Sequence, residues 1–366
     1  MRDEIQLKDN LTRDFLDKKG LDGILLRRRD SFSWVTGGKV NHIIGSTEYG
    51  FVDLLITKDR KYCIANNVER FRINDEELDG LDYEILSFNW WDDTTQSIIK
   101  NIIGSGKLGC DFDFPGSVNV FEEFKELRYS LLPVEIDRYK EVSRLCARAV
   151  EDTCREIYRG ETEHEICANL VHKVMANGID PMVALVASDE RIFRYRHPVA
   201  TDKKIGRYAM VVVCGRKYGL VANLTRFVHF GEPSEEIRIK REKVLNIEAE
   251  FITNTIVGRN VSDIFKDGIK AYDEAGYPDE WNLLHQGGPT GYNTREYIVT
   301  PDIKGTVHLN QAFTWNPSIS GTKSEDTFIV TQNGNEIITN TNDWPMVEVK
   351  SISGKKLLRP DLLILD

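Results

Sequence analysis

The chain has 366 residues, 41% of them hydrophobic and 29% charged, which leaves room for two domains and matches an ordinary globular protein. A formal net charge of −10 argues against a nucleic-acid backbone as partner, and no apolar run reaches the roughly 20 residues that cross a bilayer. Met1 to Gln6 carries no apolar signal core, and the six Cys include no C-x-x-C pair, so reduced thiols in a cytoplasm are expected.

In chain order, Leu11 to Lys19 has helical spacing, and Gly23-Ile24-Leu25-Leu26 is a short apolar run suited to a buried strand. Phe51 to Ile56 and Tyr62 to Ala65 read as neighbouring strands, and Lys107 to Asp111 as a later one. Glu135 to Tyr158 has apolar residues at helical spacing, and Thr162 is placed to cap a helix over Glu163 to Ala176. From Tyr208 the period changes to that of a strand, with a turn expected over Gly215 to Gly219 and a second strand from Leu220 to His229. Helices fit Ser234 to Ile256 and Val261 to Ala275, and a strand-rich remainder follows. The expected class is α/β (α+β), in two domains, 1–133 and 134–366.

Three segments carry the chemistry. They are Val211-Val212-Val213-Cys214-Gly215 leading to Asn223-Leu224-Thr225-Arg226, then His285-Gln286-Gly287-Gly288-Pro289, then Trp315-Asn316-Pro317 with Gly321 to Thr327. Their order and wording resemble the creatinase/prolidase/methionine-aminopeptidase family. Ser33 to Gly38 (SWVTGG) and the Gly160-Glu161-Thr162-Glu163 turn fit the same pattern. The resemblance implies a creatinase-like N-terminal domain followed by a pita-bread domain, in a homodimer. In the family's metallopeptidases two Asp, one His and two Glu hold two divalent ions. The matching positions here are Val212, Asn223, His285, Asn316 and Glu325, so the formal ligand charge falls from −4 (four carboxylates) to −1 (Glu325 alone). Two divalent cations in such a pocket would be under-neutralised, and no metal or other cofactor is expected.

Creatinase, in the same family, works without metal through a histidine. His197-Pro198-Val199 stands at that place, although the Asn that follows the family's His is missing. The resemblance therefore assigns proton transfer to His197, with His285 as its partner acid and Glu325 as the surviving carboxylate. Asn223, Thr225, Tyr292, Arg295 and Asn316 are expected to bind substrate. Arg226 is expected to anchor structure, and Asp326 to face away from Glu325 if the segment is a strand. The basic stretch Arg27-Arg28-Arg29 either reaches a partner subunit's cavity or is a solvated charge run, and Trp90-Trp91 reads as domain or dimer packing. The leading expectation is a metal-independent, creatinase-like C–N hydrolase, or an eliminating enzyme, acting on a small polar amine or amide. A metal-dependent Xaa-Pro peptidase and a non-catalytic binding protein are the alternatives.

Overall fold

The structure, a computed structural model, describes residues 2–366. It divides into two compact units, one up to Arg128 and the other Tyr129–Asp366.

In the first unit, α1 (Arg2–Lys19) leads into β1 (Gly23–Arg28), α2 (Arg29–Val35), β2 (Tyr49–Thr57) and β3 (Lys61–Asn66). A short turn, α3 (Arg70–Arg72), precedes β4 (Glu84–Phe88), α4 (Thr95–Ile103), β5 (Leu108–Cys110), β6 (Ser117–Asn119) and α5 (Phe121–Phe124). The six strands form one sheet in the order β4-β3-β2-β1-β5-β6. Leu25, Leu55, Ile64, Ile99 and Cys110 make its core on one face. α1 begins nine residues before the expected Leu11. Its first half escaped notice because it buries polar groups in pairs, Lys8 with Glu4 and Lys61 with Asp9, both at 2.8 Å. The three arginines belong to this unit's own scaffold. Arg27 bonds both oxygens of Asp53, at 2.6 and 2.7 Å, Arg28 stacks over Phe121, and Arg29 donates to the carbonyls of Gly45 and Thr47. This corrects the reading of a solvated run. Trp90 and Trp91 meet edge to face and are both exposed.

The second unit opens with α6 (Pro133–Glu156) and α7 (Glu163–Ala176). At the start of α7 the Thr162 hydroxyl accepts from the Glu165 amide and the Glu165 carboxylate accepts from the Thr162 amide, a reciprocal cap. Thr162→Ala should cost about 1 kcal/mol, read as a shift in the urea midpoint at constant slope; an unchanged midpoint would show the cap to be redundant.

Then come β7 (Asp180–Ser188), which the sequence reading did not anticipate, α8 (Glu190–Arg194), β8 (Tyr208–Lys217), β9 (Leu220–Phe230), α9 (Glu235–Asn254) and α10 (Val261–Glu274). The strand-rich remainder is β10 (Gly287–Thr290), β11 (Ala312–Trp315), β12 (Ser318–Ile319), β13 (Thr322–Lys323), β14 (Asp326–Thr331), β15 (Gly334–Ile337), β16 (Met346–Lys350), β17 (Lys356–Pro360) and β18 (Leu363–Leu365).

Two four-stranded sheets hold the unit together, β18-β9-β8-β7 and β10-β11-β14-β15. β9 is buried along its whole length, with α6 packed across it and β14 also against it. That explains the unbroken apolar run of β8, which a half-exposed strand would not carry. The β8–β9 turn is tighter than expected. Lys217 pairs with Leu220, and Tyr218 and Gly219 both have positive φ (55° and 78°), the signature of a two-residue type I′ hairpin. Gly215 lies inside β8, where a Cβ would stand 2.5 Å from the Cys146 sulfur. Val244, Phe251, Tyr272, Phe313, Trp315 and Phe328 form the largest part of the core between α9, α10 and the second sheet.

Candidate functional site

The two sheets meet along β9, from Val221 to Thr225. The Thr225 amide on β9 donates to the Glu325 carbonyl at 3.1 Å, just before β14 starts. Residues at this junction enclose a cavity of about 480 Å3, with His197, His285, Arg295, Asn316, Lys323 and Glu325 as its polar wall. Val183, Leu185, Val212, Cys214 and Ile298 supply an apolar wall.

Each polar group is held by its element. Gly287 brings β10 against β11, and with φ at 99° a Cβ there would stand 2.2 Å from the Thr314 carbonyl and 2.7 Å from Asn316 Oδ1. Only glycine lets β10 approach this stretch of β11 so closely. His197 follows α8 on a segment tied down by the preceding Arg196, which donates to the Glu280 carboxylate and to Ser320 Oγ. The His197 and His285 ring centroids are 5.8 Å apart.

Glu325 sits at the centre. Arg295 Nη2 donates to one carboxylate oxygen at 3.0 Å, while Lys323 Nζ, at 2.7 Å, and Thr225 Oγ1, at 2.8 Å, donate to the other. Burial alone would push this carboxyl up, but the two cations and these bonds outweigh it and hold it down at about 2. The same cations act on the histidines. Burial first, then Arg295 and Lys323, lower His285 to about 4, and burial followed by Lys323 lowers His197 below its usual value. Both rings are therefore neutral at pH 7. Burial pushes the Cys214 thiol up to about 12, which removes it as a nucleophile. One carboxylate against an ammonium and a guanidinium leaves this wall with a net charge of +1.

His197, His285, Glu325, Arg295 and Asn316 thus share one cavity, and three other residues singled out from the sequence do not line it. Asn223 is buried behind the wall. The two N–H groups of its Nδ2 are shared among Val221 O, Thr290 and Thr314, and its Oδ1 has no partner among the described residues. Thr225 acts only through Glu325. Tyr292 turns away and donates to Glu135 at 2.5 Å. The cations that Glu325 binds, Arg295 and Lys323, belong to the chain itself. Lys323 was missed, yet its position was readable, since residues two apart on extended backbone share a face and Lys323 stands two before Glu325.

Asp326 points the other way, into a buried network. Arg359 donates to Glu248 at 2.6 Å and to Asp326 at 2.7 Å, and Arg226 donates to Asp326 at 2.9 Å, with none of these side chains more than 1% exposed.

Comparison with known proteins follows the same lines. The profile of metallopeptidase family M24 matches residues 137–332, and that of the creatinase/prolidase N-terminal domain matches residues 10–139. The chain belongs to metallopeptidase family M24, with a creatinase-like N-terminal domain ahead of a pita-bread domain. It is 24% identical over 352 residues to an Xaa-Pro dipeptidase of Pyrococcus horikoshii, a match covering 90% of this chain and 95% of that protein. The crystal structure of the prolidase from Pyrococcus horikoshii superposes with a TM-score of 0.78 at 20% identity, over 91% of this chain and 98% of that one. An uncharacterized peptidase of Staphylococcus epidermidis is 25% identical over 231 residues; the match covers 60% of this chain and spans just under two thirds of that protein, 65%. These relatives carry peptidase names, which favours the Xaa-Pro peptidase alternative over the creatinase expectation as to substrate.

The family name also implies metal, and the donor set of this site does not fit it. Val212 has no donor atom, and Asn223 could offer only one neutral Oδ1, without a hydrogen-bond partner among the described residues, where the family's pattern has a carboxylate. Arg295 stands 3.4 Å from Asn316 Oδ1, and both Glu325 oxygens already face cations. Among the described residues no group of three or more His, Cys, Asp or Glu could hold a metal ion.

Proposed function

We propose that this chain hydrolyses the C–N bond of a short peptide or peptide-like amide in the His197–His285 cavity. The observation that carries this reading is the pair of neutral histidines 5.8 Å apart beside a fixed Glu325–Lys323–Arg295 cluster. A neutral imidazole can take a proton from water, which a protonated one cannot. In the step proposed, water oxygen bonds to the carbonyl carbon and its proton passes to His197. The C–N bond then breaks and that proton goes to the leaving nitrogen, giving a carboxylic acid and an amine. His285 holds the substrate oxygen or the water in line, and the apolar wall accepts a compact apolar side chain or ring. The relatives' names point to dipeptides ending in proline as the first substrates to try.

The test is a panel of Xaa-Pro dipeptides incubated with the purified protein in EDTA and, separately, with added manganese. Cleavage in EDTA supports the reading, and no cleavage in either condition sinks it. Cleavage with manganese alone would establish the second reading, a metal-dependent Xaa-Pro peptidase, which the relatives' names favour.

The pH profile follows from the histidines. His197 is lowered from 6.5, so its base form persists to more acid pH than that of a free histidine. The acid limb of kcat/KM should accordingly fall below pH 6.5. A limb centred at 7 or above would exclude His197 as the base.

A further inference from the structure

The polar wall has more hydrogen-bonding capacity than the chain itself uses. Lys323 carries three N–H donors at a side chain only 6% exposed, and among the described residues its single hydrogen-bond partner is Glu325. Among the described residues Arg295 Nε, on a side chain 9% exposed, has no partner, and neither does His285 Nδ1. Buried donors left unused are costly, and charged ones more so. All three groups line the same cavity, next to Val212 and Asn316, two positions that the family resemblance matches to metal ligands.

From this we infer that Lys323 is the cavity's electrophile: its spare N–H donors, backed by Arg295, take the oxygen that becomes negatively charged in the ligand. The chain supplies as a fixed ammonium the positive charge that a metal supplies in its relatives. Glu325 is then a positioning residue, which holds Lys323 and Arg295 side by side and uses one Lys323 donor to do so. The ligand class is a small molecule with a carbonyl or anionic oxygen on a compact apolar body, sized to 480 Å3 and set against Leu185, Val212 and Ile298. Charge-assisted donors preset in a dry wall stabilise a developing oxyanion without reorganising, which is the source of their effect on rate.

This inference rests on the cavity being the substrate site, and its test reads binding, not turnover. The probe is the phosphinic-acid analogue of alanylproline, whose P–O− stands for the oxyanion of the hydrated amide, titrated by calorimetry in EDTA at pH 7.5. The wild-type protein should bind one equivalent. Lys323→Met should weaken binding by about 10- to 100-fold, the loss of one charge-assisted hydrogen bond. Lys323→Arg keeps the charge and should retain binding within about tenfold of wild type by the same reckoning. Melting curves of both variants distinguish lost binding from lost fold. Equal binding by a folded Lys323→Met, no binding by the wild type, or binding that appears only with added manganese would each overturn the inference. Tight, Lys323-dependent binding together with no hydrolysis of the dipeptide panel would sink the hydrolase reading alone.

Discussion

Replacing Arg359 by Met should lower the unfolding free energy of the second unit by about 3–5 kcal/mol, because it strands Glu248 and Asp326 as buried charges. Arg359 is fully buried and donates to both carboxylates. Arg226 still holds one Asp326 oxygen, but among the described residues Glu248 keeps only the Ser324 hydroxyl as a hydrogen-bond partner. The cost would be read as a fall in the urea midpoint of this unit's transition, and a loss below about 1 kcal/mol would show that water or relaxation replaces the guanidinium. The effect should also reach the site, since Asp326 adjoins Glu325 in the chain. Removing both charges from an Arg359–Glu248 pair, as in Arg359→Met with Glu248→Gln, should recover part of the loss.

Replacing His197 by Ala should lower kcat/KM on the best dipeptide by about 10²–10⁴-fold, the range of a lost general acid–base group. The His197 residue is exposed overall, with its imidazole half-buried at the cavity wall, and its neighbour Arg196 carries the anchoring bonds, so the fold should survive the change. The acid limb of the pH profile should vanish with it. A decrease of less than threefold, with the limb intact, would pass the proton-transfer role to His285. A fall in kcat with KM unchanged would indicate that His197 acts in the transition state and not in binding.

Much of the architecture was legible because the apolar period and the punctuation agreed. The run from Ala209 to Val213 marked a strand, and Thr162 marked a helix start. Burial by pairing hid the first turns of α1, since Glu4, Lys8 and Asp9 are polar in sequence and satisfied only by tertiary partners. The site divided in the same way. His197, His285, Asn316 and Glu325 came from motif positions, and the cavity contains all four. Asn223 and Tyr292 could not be placed from spacing alone, because a strand residue's face does not say whether a cavity or a packed neighbour lies opposite. Lys323 was passed over because a lysine in a Gly-Thr-Lys-Ser-Glu segment reads as solvated; only its 6% exposure shows otherwise.

The pairing of β18 with β9 bears on how the chain reaches this structure. Leu363 lies beside Val228, in parallel, at a sequence separation of 135 positions (363 − 228). During synthesis β9 is complete long before its edge is covered. A nascent chain halted between these two strands would present the open backbone edge of β9 at Val228–Phe230, a template for pairing with other chains. Such long-range closure slows folding, so late assembly of this sheet, and not weakness of the finished core, is where the protein should be most exposed to aggregation.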